Sequence, residues 1–162
     1  MTTLSIDAVA PGFSLMGLDA QSHTLYKDGA RMTLVVFFKT TCPTCRVAWQ
    51  YIEKLHRSYQ GAGLAVWGIS QHDKNRSSDF AIEYKSTFPI LIDDDWRVSK
   101  QYNPDYVPTL FLIDATGKIV DRVVAFDKAG LNRLSQAIAA RLNVSTQVIA
   151  PDNDGNPPFK PG

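Results

Sequence analysis

Cys42 and Cys45 stand three residues apart in the stretch LVVFFKTTCPTCRVAWQ, residues 34–50, and they are the only two cysteines of the chain. A close pair of this kind is suited either to dithiol–disulfide exchange or to binding a metal. An apolar run ends at Lys39, and Pro43 follows Cys42 directly. Proline is favoured at the first helical position, because its missing N–H would go unpaired there anyway. The sequence therefore predicts that a buried strand hands over to a helix at Cys42. Free backbone N–H groups and the helix dipole at that end favour a thiolate, and can bring a cysteine from about 8.5 into the range of about 3.5–7.5. Lys39 and Arg46 lie close in sequence and add positive charge. Cys45, one turn later, falls in line with Ala48 and Ile52 and is expected to point inward. The result is one exposed nucleophile and one shielded partner, the asymmetry needed to attack a disulfide and then resolve the mixed intermediate.

The elements that must hold this pair can be read from periodicity. TLVVFF (33–38), LAVWGIS (64–70) and TLFLID (109–114) are apolar on both faces, as central strands are. Ala48, Ile52, Leu55 and Tyr59 form one stripe of a helix that Gly61 and Gly63 end. FSLMGLDAQSHTLY reads as a hairpin turning at 17–21. Residues 75–87 read as a helix with Phe80, Ile82 and Tyr84 on its inner side, and 89–93 as a short strand. DDWRVSKQY (94–102) reads as a short helix capped by Asp94 or Asp95. KIVDRVVAF (118–126) runs back along 109–114 through an Ala-Thr-Gly turn. Asp127 then caps a last helix that buries Leu131, Leu134, Ile138 and Leu142. The order β-α-β-α-β-α-β-β-α predicts an α/β fold with a mixed central sheet flanked by helices and an N-terminal hairpin. One domain is expected over 1–149. Residues 150–162 hold four of the nine prolines and read as an extended or disordered tail.

Composition bounds the function. The 162 residues are enough for one sizeable core. A net charge of +1 with scattered cations predicts neither a nucleic-acid nor an anionic-membrane partner. The longest apolar runs fall far short of the roughly 20 residues a membrane helix needs. The opening MTTLSIDAVAPGF lacks the basic residue and long apolar stretch of a signal peptide, so either the protein stays in the cytoplasm, the reading its initial Met favours, or a leader has been removed; a monomer is expected. A zinc site wants four ligands, and beyond the cysteines only His23, His56 and His72 are on offer, at no ligand-like spacing. Neither metal nor cofactor is expected. His56 reads as a solvated helix residue and His23 as a surface one.

Over about residues 10–142 the sequence resembles the thioredoxin superfamily, in the branch of the TlpA-type thiol-disulfide oxidoreductases and the AhpC/TSA (redoxin) proteins. The strand TLVVFFKTT, the motif CPTC opening a helix, YVPTLFLIDATGKIV and the early APGFSL carry the resemblance. It implies a thioredoxin-like fold and dithiol–disulfide exchange with protein clients. Cys42 would be the attacking thiolate and Cys45 the resolving thiol. Pro108 would be a cis proline facing the disulfide, with Val107 offering its backbone to an extended client and Pro43 and Thr44 meeting the client from the motif side. Thioredoxins carry a buried Asp where this chain has Val36, so the usual proton relay is in doubt. TlpA-type proteins often carry a Glu shortly after the next strand. That position falls here on His72, beside Gln71, and a His there could relay a proton near neutral pH; an ordinary loop histidine is the equal alternative. A peroxiredoxin-like peroxidase is the runner-up, although the pattern Pro-x-x-x-Thr/Ser-x-x-Cys meets Phe38 and Cys42 at its first two defined positions. A copper chaperone, which generally needs cysteines four apart, and a thioredoxin-like binding domain with idle thiols remain the non-enzymatic alternatives.

Overall fold

The computed structural model describes residues 2–27 and 29–162. A five-stranded mixed sheet forms the centre, in the order β5 (Ile90–Ile92), β4 (Leu64–Ser70), β3 (Met32–Phe38), β6 (Thr109–Asp114), β7 (Ile119–Val124). β3 runs parallel to β4 and antiparallel to β6. The helices are α1 (Pro43–Tyr59), α2 (Lys74–Glu83), α3 (Arg97–Tyr102) and α4 (Lys128–Leu142). The α/β architecture expected from the element order is the one formed.

β3 is buried along its whole length because its two faces serve two cores. Leu34, Val36 and Phe38 pack with Cys45, Ala48, Trp49 and Ile52 of α1 and with Leu131, Leu134 and Ile138 of α4. Val35 and Phe37 face the other way, into a cluster with Phe13, Trp67, Ile69, Val98, Tyr102 and Phe111. This two-sided burial is why the strand reads as a continuous apolar run rather than an alternation. Trp49 fixes the height of α1 above the sheet, its ring 4.4 Å from that of Phe38 and 4.8 Å from that of Phe80. Gly68 of β4 makes room for it, since a Cβ there would lie 3.1 Å from the Trp49 ring.

Both edges of the sheet are covered, which blunts their tendency to pair with other chains. The hairpin of β1 (Ser14–Met16) and β2 (Ser22–Thr24) lays Gly17 and Leu18 against β5. Residues 7–10 bond along the start of β7. Among the described residues, no helix is long and apolar enough to cross a membrane.

Four local expectations are corrected. α3 takes neither Asp94 nor Asp95 as its cap residue; the cap position is Trp96, in a left-handed conformation. The buried Asp93 does most of the capping, its carboxylate accepting from the N–H groups of Val98 and Ser99 and from the Ser99 hydroxyl, while Asp95 accepts only the Arg97 N–H at 3.2 Å. A cap from outside the helix has no spacing signature in sequence. Ile82 lies 75% exposed, because α2 ends at Glu83 and turns Ser77 and Phe80 inward instead. His56 is half-buried, with its ring edge-on to Phe88 and its Nδ1 buried without a hydrogen-bond partner among the described residues. Burial lowers its pKa. Asp127 precedes α4 as expected, but its side chain makes no capping bond.

The segment after α4 follows a defined path back along α1. Tyr59, at the far end of α1, accepts from the Gln147 N–H. Asn132 of α4 brackets Ile149 and Ala150. Asp154 pairs with the buried Lys128 at 2.6 Å and accepts from Tyr51. Beyond it, β9 (Phe159–Lys160) pairs antiparallel with β8 (Phe126–Asp127). Lys128 and Tyr51 hold the Asp154 carboxyl down to about 2.

The capping geometry yields a stability comparison. Asp93→Ala leaves buried N–H groups without an acceptor and is expected to cost about 1–3 kcal/mol. Asp94→Ala, on the exposed turn, is expected to stay within about 0.5 kcal/mol of the parent. Urea unfolding of the two variants checks this; equal losses would show that the Asp93 bonds contribute nothing special.

Candidate active site

The end of β3 and the start of α1 position the dithiol. Cys42 is the residue that caps α1, with Pro43 at the first helical position. Its sulfur accepts from the Cys45 N–H at 3.1 Å. The Cys45 thiol also donates to that sulfur, and this is the largest influence lowering the Cys42 pKa. Partial burial opposes it, while the N–H groups of Cys45 and Thr44 and the charge of Lys39 lower it further. The Cys42 thiol settles at about 6. Cys45 is 0% exposed, packed among Val36, Ala48 and Trp49. Burial, with the neighbouring sulfur, pushes its thiol far up. Both cysteines are free, so the structure is that of the reduced protein. The asymmetry expected from the sequence is therefore present as geometry: a half-exposed sulfur that ionises readily and a buried one that does not.

Lys39 and Arg46 separate in space. Lys39 contributes to the Cys42 field and lies over the Trp96 ring at 4.8 Å. Arg46 turns back instead, donating to the Thr40 carbonyl at 3.0 and 3.2 Å.

The loop before β6 closes the site. The Val107–Pro108 peptide bond is cis, as the resemblance implies. The Cys42 thiol donates to the Val107 carbonyl at 3.4 Å, which ties the loop to the sulfur. Pro108 is buried, Val107 partly exposed and the neighbouring Tyr106 59% exposed. Pro43 is exposed beside Cys42, whereas Thr44 is buried and its hydroxyl donates to the Pro161 carbonyl at 2.5 Å.

His72 reaches the motif through Thr40. Its Nδ1 accepts from the Thr40 N–H at 3.3 Å and lies 2.7 Å from the Thr40 hydroxyl. An Nδ1 that accepts a backbone N–H leaves the proton of the neutral ring on Nε2. Burial, then Arg76 and Lys39, lower its pKa. Gln71 is turned away, its side-chain amide donating to the Ser99 hydroxyl and its backbone carbonyl accepting from the Trp96 indole N–H. Val36 is fully buried and places no acid beneath the thiols. Among the described residues, no group of three or more His, Cys, Asp or Glu could hold a metal ion. Thr40 and the segment at Pro161 also belong to this site. Neither carries a sequence signal: Thr40 meets His72 through its hydroxyl and N–H and Arg46 through its carbonyl, contacts no motif marks, and Pro161 arrives from 117 residues away.

A mixed sheet that presents a capped, asymmetric dithiol opposite a cis-proline loop defines a thioredoxin-like thiol-disulfide oxidoreductase. Residues 6–122 match the AhpC/TSA family, and the chain belongs to that family. It is 30% identical over 119 residues to the thiol-disulfide oxidoreductase ResA of Geobacillus thermodenitrificans, covering 73% of this chain and 68% of the relative. It is 34% identical over 116 residues to the thioredoxin-like protein YneN of Bacillus subtilis, covering 69% and 67%. The thioredoxin domain of a thiol-disulfide oxidoreductase from Bacteroides vulgatus has the same fold, with a TM-score of 0.75 at 24% identity over 84% of this chain and 99% of that one. So has a thiol:disulfide interchange protein from a Bacteroides species, with a TM-score of 0.74 at 24% identity over 89% and 94%.

The depressed Cys42 pKa fixes a pH profile. A thiol is ionised above its pKa, and the thiolate is the species that reacts. Alkylation of the reduced protein by iodoacetamide is therefore expected to rise through a midpoint of about 6 and to level off above it, with Cys42 labelled first. A midpoint near the free-cysteine value of about 8.5 would show that neither the Cys45 thiol nor the helix-terminal N–H groups stabilise the thiolate.

Proposed function

We propose that the chain reduces or forms disulfides in extended segments of other proteins, with Cys42 as attacking thiolate and Cys45 as resolving thiol. The observation that carries this is the pairing of a half-exposed sulfur that caps α1 with a fully buried partner one turn on, whose N–H the first sulfur accepts at 3.1 Å. In the reducing direction, the Cys42 thiolate attacks one sulfur of a client disulfide. The new bond joins Cys42 to the client, and the client's other sulfur leaves as a thiolate. Cys45 then loses its proton and attacks the Cys42 sulfur. A Cys42–Cys45 disulfide forms and the second client thiolate departs. The client gains two electrons and the protein loses two, to be restored by a dithiol donor.

The Val107 backbone and the exposed faces of Pro43 and Tyr106 supply the client contact, while Pro108 and Thr44 shape the walls. All of these residues come from one chain, so a monomer suffices. In a reducing compartment the pair would stand as the dithiol and act as a reductase. His72 is assigned the handling of the Cys45 proton, acting through Thr40 and the loop before Cys42.

The discriminating assays are insulin reduction and peroxide consumption, run side by side. Insulin turnover is expected, with Cys42→Ser abolishing it and Cys45→Ser accumulating a mixed disulfide that nothing internal can resolve. If Cys45→Ser alone removed peroxide turnover and insulin stayed intact, the chain would be a peroxidase. His72→Ala is expected to slow resolution more than attack, mostly near neutral pH. An unchanged pH profile would remove His72 from the mechanism.

A further inference from the structure

The last residues of the chain lie where the proposed client would lie. Thr44, between the two cysteines, spends its hydroxyl on the Pro161 carbonyl. Gly162 sits so close to the Val107 loop that a Cβ there would come within 2.4 Å of the Val107 carbonyl oxygen and 3.2 Å of the Tyr106 Cβ. Thr44 and Val107 flank the Cys42 sulfur from its two sides, through the helix cap and the 3.4 Å contact to the Val107 carbonyl. One short segment of the same chain thus bridges both walls of the groove.

The segment is held unevenly. Up to Asp154 it is fastened by Asn132, Tyr51 and the buried Lys128. Beyond that point it keeps the bond from the Asn156 side-chain amide to the Tyr51 hydroxyl at 2.8 Å, and then, past Pro157, only a two-residue ladder on β8, the bond from the Lys128 N–H to the Pro158 carbonyl, and the Thr44 bond. Pro157, Pro158, Phe159, Pro161 and Gly162 are all exposed, so little apolar surface holds this end down. The prolines keep it extended and lower the entropy lost on docking. The anchor is firm and the end is weakly held.

We infer that residues 158–162 form an internal competitor, a strap that closes the client groove and that an extended protein client must displace. The inference rests on the client-binding reading given above. Cys42 itself stays half-exposed with the strap in place, so small disulfides reach the sulfur while extended polypeptides do not gain Thr44 and Val107. A groove covered about nine-tenths of the time raises the apparent dissociation constant for a client about tenfold.

Two variants loosen the strap without touching the thiols. Gly162→Val cannot rest against the Val107 carbonyl, and Lys160→Pro removes an N–H from the residue paired with Phe126. Each is compared with the parent on insulin and on hydroxyethyl disulfide. Both variants are expected to lower the KM for insulin about tenfold, in line with the coverage above, and to leave hydroxyethyl disulfide turnover unchanged. Insulin kinetics that stay the same, or worsen, while the small disulfide is turned over normally would overturn the strap. Should the parent turn over neither substrate, the exchange reading itself fails and the strap falls with it.

A second measurement does not depend on how the variants fold. In Cys45→Ser protein linked through Cys42 to an extended cysteine peptide, the Lys128 amide reports the strap. It lies at the first position of α4, where no helical acceptor exists, and its acceptor is Pro158. Its hydrogen exchange is expected to accelerate in the adduct relative to the unlinked protein. Retained protection with the peptide bound would show that client and strap occupy different places, and would overturn the inference.

Discussion

The rest of the site depends on one interaction, the capping of α1 by the Cys42 sulfur. A helix begins with N–H groups that have no partner of their own. Here a sulfur stands where a Ser or Asp oxygen is usual, and it collects the Cys45 N–H at 3.1 Å. The same bonds that begin the helix stabilise negative charge on the nucleophile. Local structure and reactivity are thus one arrangement, and anything that moved the start of α1 would move the thiol pKa with it.

The core exists, in functional terms, to hold that cap at a fixed height. β3 delivers the chain to Lys39 with both faces buried. Trp49, wedged between Phe38 and Phe80 above Gly68, sets how far α1 stands from the sheet. Cys45 is shielded by the same packing, so the asymmetry of the two thiols follows from a helix that lies flat on a strand. The cis-proline loop before β6 reaches the sulfur because β6 is the direct antiparallel neighbour of β3. Thr40 then links the motif to β4, through His72 on one side and Arg46 on the other.

The strap adds a second constraint to the same small area. A groove lined by exposed backbone and apolar side chains attracts extended chains of many kinds. Filling it with a weakly held piece of the same polypeptide makes entry depend on how well a client competes. Selectivity of this sort is set by the strap's docking energy and not by the thiols.

Some of this was legible in one dimension. The strands β3, β4 and β6 are continuous apolar runs of the right length, and Pro43 after Cys42 marks a helix start on steric grounds alone. Those local rules identified the dithiol, which sulfur is outward and the order of elements. What they could not supply was anything decided by residues distant in sequence. Asp93 caps α3 from outside it, because a buried carboxylate seeks whichever N–H groups the packing presents. His56 reads in sequence as a solvated helix residue, and is half-buried because Phe88 packs edge-on against it. The path of residues 150–162 is set by Lys128, Tyr51 and Thr44, none of which lies near it in sequence. Periodicity and proline rules act within a turn or a strand, so the sequence by itself determined the chemistry of the pair. Hydrogen bonds and burial act across the fold, so only the tertiary structure decided what surrounds the pair and what covers it.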